Sequence, residues 1–116
     1  MATIEAVRVA APWAAWRDCG FTVAGSEAVI GSVRLRFEGG DGGITGWSLR
    51  DSAAVEVDGL ETELSEEASA RPGVHPNGAE RIDHIVVLTP DLARTNAALE
   101  AAGLSLRRIR EPSEPG

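Results

Sequence analysis

The amino-acid sequence predicts an α+β fold, a mixed sheet with its helices packed on one outer face. Three observations predict it. Short runs alternate apolar and polar residues with a period of two, the mark of half-buried strands. Two stretches open at a proline and close at a glycine, the asymmetry expected of helices. The order strand, helix, strand occurs in both halves of the chain.

The elements follow in order. Residues 3–9 form a short strand, with Val7 and Val9 on one face and Ala6 and Arg8 on the other. Pro12 then stands where a first helical turn tolerates it, and Gly20 where a helix stops. Trp13 and Trp16, three apart, share a face of that helix and pack it on the sheet. Phe21-Thr22-Val23 and Ala28-Val29-Ile30 are strand pieces about a turn at Gly25-Ser26. Residues 32–38 alternate cleanly, Val33, Leu35 and Phe37 against Arg34 and Arg36. The glycine-rich stretch 39–43 predicts a hairpin connection into a returning strand over 44–49. Residues 1–50 therefore read as one βαβββ module.

Residues 51–80 lose this regularity. Val55-Glu56-Val57-Asp58 suits a short strand, but 61–70 is polar and acidic. Arg71-Pro72-Gly73 and His75-Pro76-Asn77-Gly78 are turn formers. The segment reads as an acidic, solvated connector outside the core. Regularity returns over 81–110, a partial second module of strand, helix and strand. Residues 82–88 are apolar on both strand faces, which predicts burial between a helix layer and a second apolar surface. Thr89-Pro90-Asp91 opens a helix with threonine as its cap; Leu92, Leu99 and Ala102 line its stripe and Gly103 closes it. Residues 104–110 form a further strand with Arg107, Arg108 and Arg110 near its end, and 111–116 are a disordered tail.

Charge narrows the function classes. The chain of 116 residues carries eighteen acids and eleven bases, all of the bases arginine. Residues 1–50 and 81–116 are each balanced at five and five, so the net charge of −7 belongs to 51–80. A nucleic-acid binder needs a basic face to displace counterions, and none is present. Anionic membrane surfaces are disfavoured for the same reason. No apolar run is long enough to span a bilayer and the N-terminus lacks a secretory pattern, so a cytoplasmic location is expected. The single cysteine, Cys19, excludes an intramolecular disulfide, and no base near it in sequence would activate it as a nucleophile.

Three stretches carry a family resemblance: His75-Pro76-Asn77-Gly78, residues 82–92 with Ile82-Asp83-His84-Ile85-Val86-Val87-Leu88-Thr89-Pro90-Asp91-Leu92, and Leu99-Glu100-Ala101-Ala102-Gly103-Leu104. Together with the βαβββ order of 3–50 they resemble the glyoxalase-like, or vicinal oxygen chelate (VOC), superfamily. The resemblance implies a curved sheet built from paired modules, whose concave face encloses a small molecule. In the metal-dependent enzymes of that superfamily, ligands come from the first and fourth strands of each module. Carried over, His84 stands at the first-strand ligand position of the second module, while its counterpart Ala6 cannot ligate. The 44–49 strand offers no imidazole or carboxylate. One imidazole does not hold a catalytic metal, which needs about three protein ligands. His84 is either a packed histidine or a ligand completed by another chain or a missing segment.

Residues 39–43 lack the lysine and hydroxyl of a phosphate loop. The resemblance places Trp47 on the strand that faces the cavity, where it would stack on a ligand or fill core. Arg8, Arg34 and Arg36 lie opposite their strands' apolar residues; any that points into the concavity would bind an anion. The expected function is small-molecule binding through Trp47, Arg8 and Arg36, with no cofactor in this chain alone. The alternatives are a lyase, isomerase or dioxygenase using zinc, nickel, manganese or iron with a partner, and an interaction module using the acidic connector. An incomplete module predicts a homodimer or a companion chain supplying strands, or a longer parent protein.

Overall fold

The computed structural model describes residues 2–52, 56–67 and 71–104. Among these, the elements run β1 (Thr3–Val9), α1 (Trp13–Asp18), β2 (Glu27–Ile30), β3 (Val33–Phe37), β4 (Ile44–Arg50), β5 (Glu56–Val57), β6 (Leu60–Leu64) and α2 (Leu92–Ala102). The fold is α+β. Its strands form one open mixed sheet in the order β2-β3-β1-β4-β6-β5. β1 lies at the centre, parallel to β3 and antiparallel to β4. The expected strands over 3–9, 32–38 and 44–49 are present.

The connection between β3 and β4 is not a hairpin. β1 lies between them, and residues 39–43 carry the chain across the end of β1. The crossing is held by the Ala10 amide on the Gly43 carbonyl at 2.9 Å and the Gly39 amide on the Ala11 carbonyl at 3.3 Å. Gly40, at φ 135°, is required by closeness as well as conformation, since a Cβ there would stand 3.1 Å from the Ala10 Cβ.

Residues 51–80 also differ from expectation, because they are part of the sheet. β6 pairs parallel with β4, and β5 closes on β6 through Asp58-Gly59. Both turn residues have positive φ, 47° and 84°, the signature of a tight two-residue hairpin. Val57, Thr62 and His75 are buried. The acids that suggested a solvated connector instead pair with arginines of other elements: Glu61 with Arg8, Glu67 with Arg34 and Arg36, Asp58 with Arg94. His75 accepts the Thr22 amide on Nδ1 at 2.9 Å and meets the Val29 carbonyl through Nε2 at 2.8 Å, so Nε2 carries the proton. It pins 73–78 to β2 and to the chain after α1.

Two further expectations change. Among the described residues, 82–88 join no strand ladder. Ile82 and Ile85 pack on the core, whereas Val86, Val87 and Leu88 are exposed. Phe21-Thr22-Val23 is likewise no strand, although Phe21 packs against Trp16 at 5.0 Å between ring centroids. The cap of α2 is Asp91, whose carboxylate accepts the Arg94 amide at 3.1 Å; Thr89 instead takes the Asp91 amide. Gly103 closes α2 at φ 93°, as expected. The strand expected over 104–110 and the tail lie outside the described residues except for Leu104, which packs against the core.

Register decides which face is core. Val7, Leu35, Ala28, Trp47 and Thr62 are successive cross-strand partners and therefore share a face. On that face α1 and 82–85 cover Val7, Ala28, Ile30, Leu35 and Phe37, and α2 covers Trp47, Leu49 and Val57. Among the described residues the opposite face carries no helix. Its cross-strand rows are Arg34, Ala6, Ser48 and Glu63, then Arg36, Arg8, Gly46 and Glu61.

Candidate functional site

The helix-free face is the chemically distinctive surface of the molecule. Its centre is Glu5. The β1–β4 register slips between Ile4 and Ala6, leaving Glu5 as an extra residue opposite the Leu49–Ser48 step. Such a bulge re-aims a side chain, and here it turns Glu5 and Ala6 toward the same, helix-free side. Glu5 is 1% exposed despite its charge. A buried carboxylate persists only when paired and hydrogen-bonded. Arg34 Nη1 donates to Glu5 Oε2 at 2.8 Å and Ser65 Oγ to Glu5 Oε1 at 3.1 Å. Burial pushes the Glu5 carboxyl up, but the bonds from Arg34 and Ser65 and the charges of Arg36 and Arg34 outweigh it, so it stays ionised below the usual range. The same bond to Glu5 raises the Arg34 guanidinium against a smaller loss from burial.

Residues 65–67 form a strap over this centre. Ser65 reaches Glu5, the Glu67 amide donates to Ser65 Oγ at 3.1 Å, and the Glu67 carboxylate meets Arg34 Nη1 at 3.0 Å. Arg50 Nε donates to the Glu67 carbonyl at 2.8 Å. Beside the strap lies an open depression of about 200 Å³ lined by Glu5, Arg36, Ser48, Glu63 and the strap. Arg36 faces it, and among the described residues its side chain donates no hydrogen bond. Its acidic neighbours Glu27, Glu67 and Glu5 stand 3.7, 3.8 and 3.9 Å away, beyond hydrogen-bond length.

Arg8 lies next to Arg36 in register but is less available. Its guanidinium lies over Gly46, where an added Cβ would come within 2.0 Å of Nη2. Its ionic contacts are Glu61 at 3.4 Å and Glu38 at 3.9 Å, and Nε and Nη2 are buried without a hydrogen-bond acceptor among the described residues.

The other residues singled out from sequence fall elsewhere. Trp47 is in the core beneath α2, 3% exposed, its Nε1 donating to Thr62 Oγ1 at 2.8 Å. It faces away from the depression. His84 is off the sheet and exposed, its Nδ1 2.8 Å from Asp83. Among the described residues no group of three histidine, cysteine or acidic side chains is close enough to hold a metal ion. Cys19 is exposed at the end of α1.

The structure therefore brings Arg8 and Arg36 together and separates Trp47 and His84 from them. Sequence reasoning missed Glu5, Ser48 and Glu67. A carboxylate between Ile4 and Ala6-Val7 in β1 was the available signal for Glu5; Ser48 is two residues from Gly46 on one strand face; Glu67 carried no local signal. Among the described residues no helix is long and apolar enough to cross a membrane. Comparison with family models, with curated proteins and with solved structures finds no match to this chain.

Proposed function

We propose that this is a glyoxalase-like protein that binds a small polar molecule on the helix-free face of its sheet. The observation that carries the proposal is Arg36, a cation whose side chain donates no hydrogen bond among the described residues, beside a depression that Ser48 and Glu5 also line. Guanidinium groups bind planar oxyanions bidentately and hold them in a fixed orientation. Glu63 on the far side supplies an acceptor for a second polar group of the ligand. The adjacency of β1 and β4 at the sheet centre supports the family reading, because the resemblance draws its site from the first and fourth strands.

A second chain belongs to this reading. Among the described residues Val86, Val87 and Leu88 join no strand ladder and are exposed, Val86 67% and Leu88 85%, which supports cover by another copy. A native mass of two chains at micromolar concentration is expected; a monomer at that concentration removes the second copy from the account.

The binding site is tested by screening a set of small polar metabolites against the protein and its Arg36→Ala variant by calorimetry. Ligands that bind the natural chain should lose about tenfold or more in affinity on loss of a charge-assisted bidentate contact. Equal affinity for both proteins contradicts the site.

A further inference from the structure

Arg34 and Arg36 sit on one strand face two residues apart, yet they are used differently. Arg34 spends its donors on Glu5 at 2.8 Å and Glu67 at 3.0 Å. Arg36 approaches the same Glu67 carboxylate at 3.8 Å without hydrogen-bonding it. Glu67 thus bridges both cations from outside, and its side chain is 59% exposed, against 2% for Glu5. The two carboxylates differ accordingly: Glu5 is built into β1, whereas Glu67 belongs to an irregular strap and is held to the sheet by side-chain contacts. An ion pair whose carboxylate is this exposed is weakened, because water competes for the Glu67 oxygens.

We propose that the Glu67 carboxylate is an internal stand-in for the ligand, occupying the place between Arg34 and Arg36 that a carboxylate or phosphate group of a small molecule takes when it binds. This rests on the site proposed above and names its ligand class. Displacing Glu67 removes its ionic contact from Arg34 Nη1, which keeps its bond to Glu5, and leaves Arg36 to close on the incoming oxyanion. Glu5 and Glu27 still balance the two arginines, and Glu63 and Glu66 also line the depression, so the anion is held by the arginine donors at close range and not by a net positive field. Ser65 and the Arg50 contact to the Glu67 carbonyl keep the strap backbone anchored while the side chain swings out.

The test uses the full chain with succinate and inorganic phosphate as probes, titrated by calorimetry and by amide chemical shifts. Glu67→Gln should tighten binding of at least one probe about two- to fivefold, the range set by losing one exposed competing pair. Glu100→Gln on α2, which changes net charge equally on the opposite side of the sheet, should alter it less than twofold, and Arg36→Gln should abolish it. In the natural protein the Ser65 and Glu67 amides should shift on titration. Succinate binding without phosphate binding assigns carboxylates, and the reverse assigns phosphates. Unchanged affinity in Glu67→Gln, or equal tightening in Glu100→Gln, overturns the stand-in. If neither anion binds while uncharged or cationic ligands still depend on Arg36, the stand-in falls and the site remains. If no ligand depends on Arg36, both fall.

Discussion

Glu5 shows how one residue sets the character of a sheet face. Beyond the bulge Val7 and Val9 face the core, before it Ile4 does, and the bulge places Glu5 beside Ala6 on the bare face. Because its folded-state carboxyl titrates below the ordinary value of 4.5, the native state favours its charged form. The stability it contributes is complete well above 4.5, and fades as pH falls from there through the lowered folded value. Glu5→Gln should lower stability at neutral pH by about 2 kcal/mol, since Arg34 and Arg36 lose a buried partner but keep Glu67 and partial solvent access. In denaturant titrations the variant should also lose less stability between neutral pH and pH 3 than the natural protein. A variant curve parallel to the natural one would show that Glu5 is not the titrating group. The faces of Arg8, Arg34 and Arg36 are legible in sequence because alternation is local. Glu5 is not, because a bulge is fixed by the partner strand's register.

At the scale of elements, the hairpin was written in Asp58-Gly59 and expected at 39–43. Five residues with four glycines suit any path that needs positive φ, including a crossing over β1. Asp-Gly between two short apolar-containing strands specifies the tight turn. Asp58 does more than turn the chain. Its carboxylate accepts from Arg94 Nε at 2.7 Å and from Thr95 Oγ1, joining the β5–β6 turn to the first turns of α2. Those two bonds, from Thr95 first and Arg94 second, hold the Asp58 carboxyl below its usual range. Asp58→Asn should keep the turn and weaken this clasp, while Asp58→Ala should disturb both. Amide exchange in α2 should therefore accelerate in the order natural, Asn, Ala, with β1–β3 unaffected; uniform acceleration across the sheet would show that the clasp is not local. Residues 82–88 present the reverse case. Their β-branched composition satisfies every local criterion for a strand, yet strand pairing needs a free neighbouring edge, and in this chain they pack by Ile82 and Ile85 instead.

For the whole molecule, charge segregation along the sequence becomes charge pairing in space. The acids of 51–80 fold back onto arginines of β1, β3 and α2, so the segment read as a connector becomes part of the sheet and of the strap over its bare face. Composition could not show this, because a balanced first half and an acidic middle describe equally a tethered acidic loop and an interlocked salt-bridge network. The fold class and most strand positions are legible from periodicity; the strand order, the bulge and the strap are long-range and are not. What results is a one-sided domain, helices and apolar core on one face, Glu5, Ser48, Arg34, Arg36 and Glu63 on the other. The central claim is that the bare face is the binding face. Mapping amide shifts on addition of a bound small polar ligand tests it most directly. Shifts should cluster at Arg36, Ser48, Glu63 and residues 65–67, with α1 and α2 unmoved. Shifts centred on α1, α2 or residues 82–88 would contradict it.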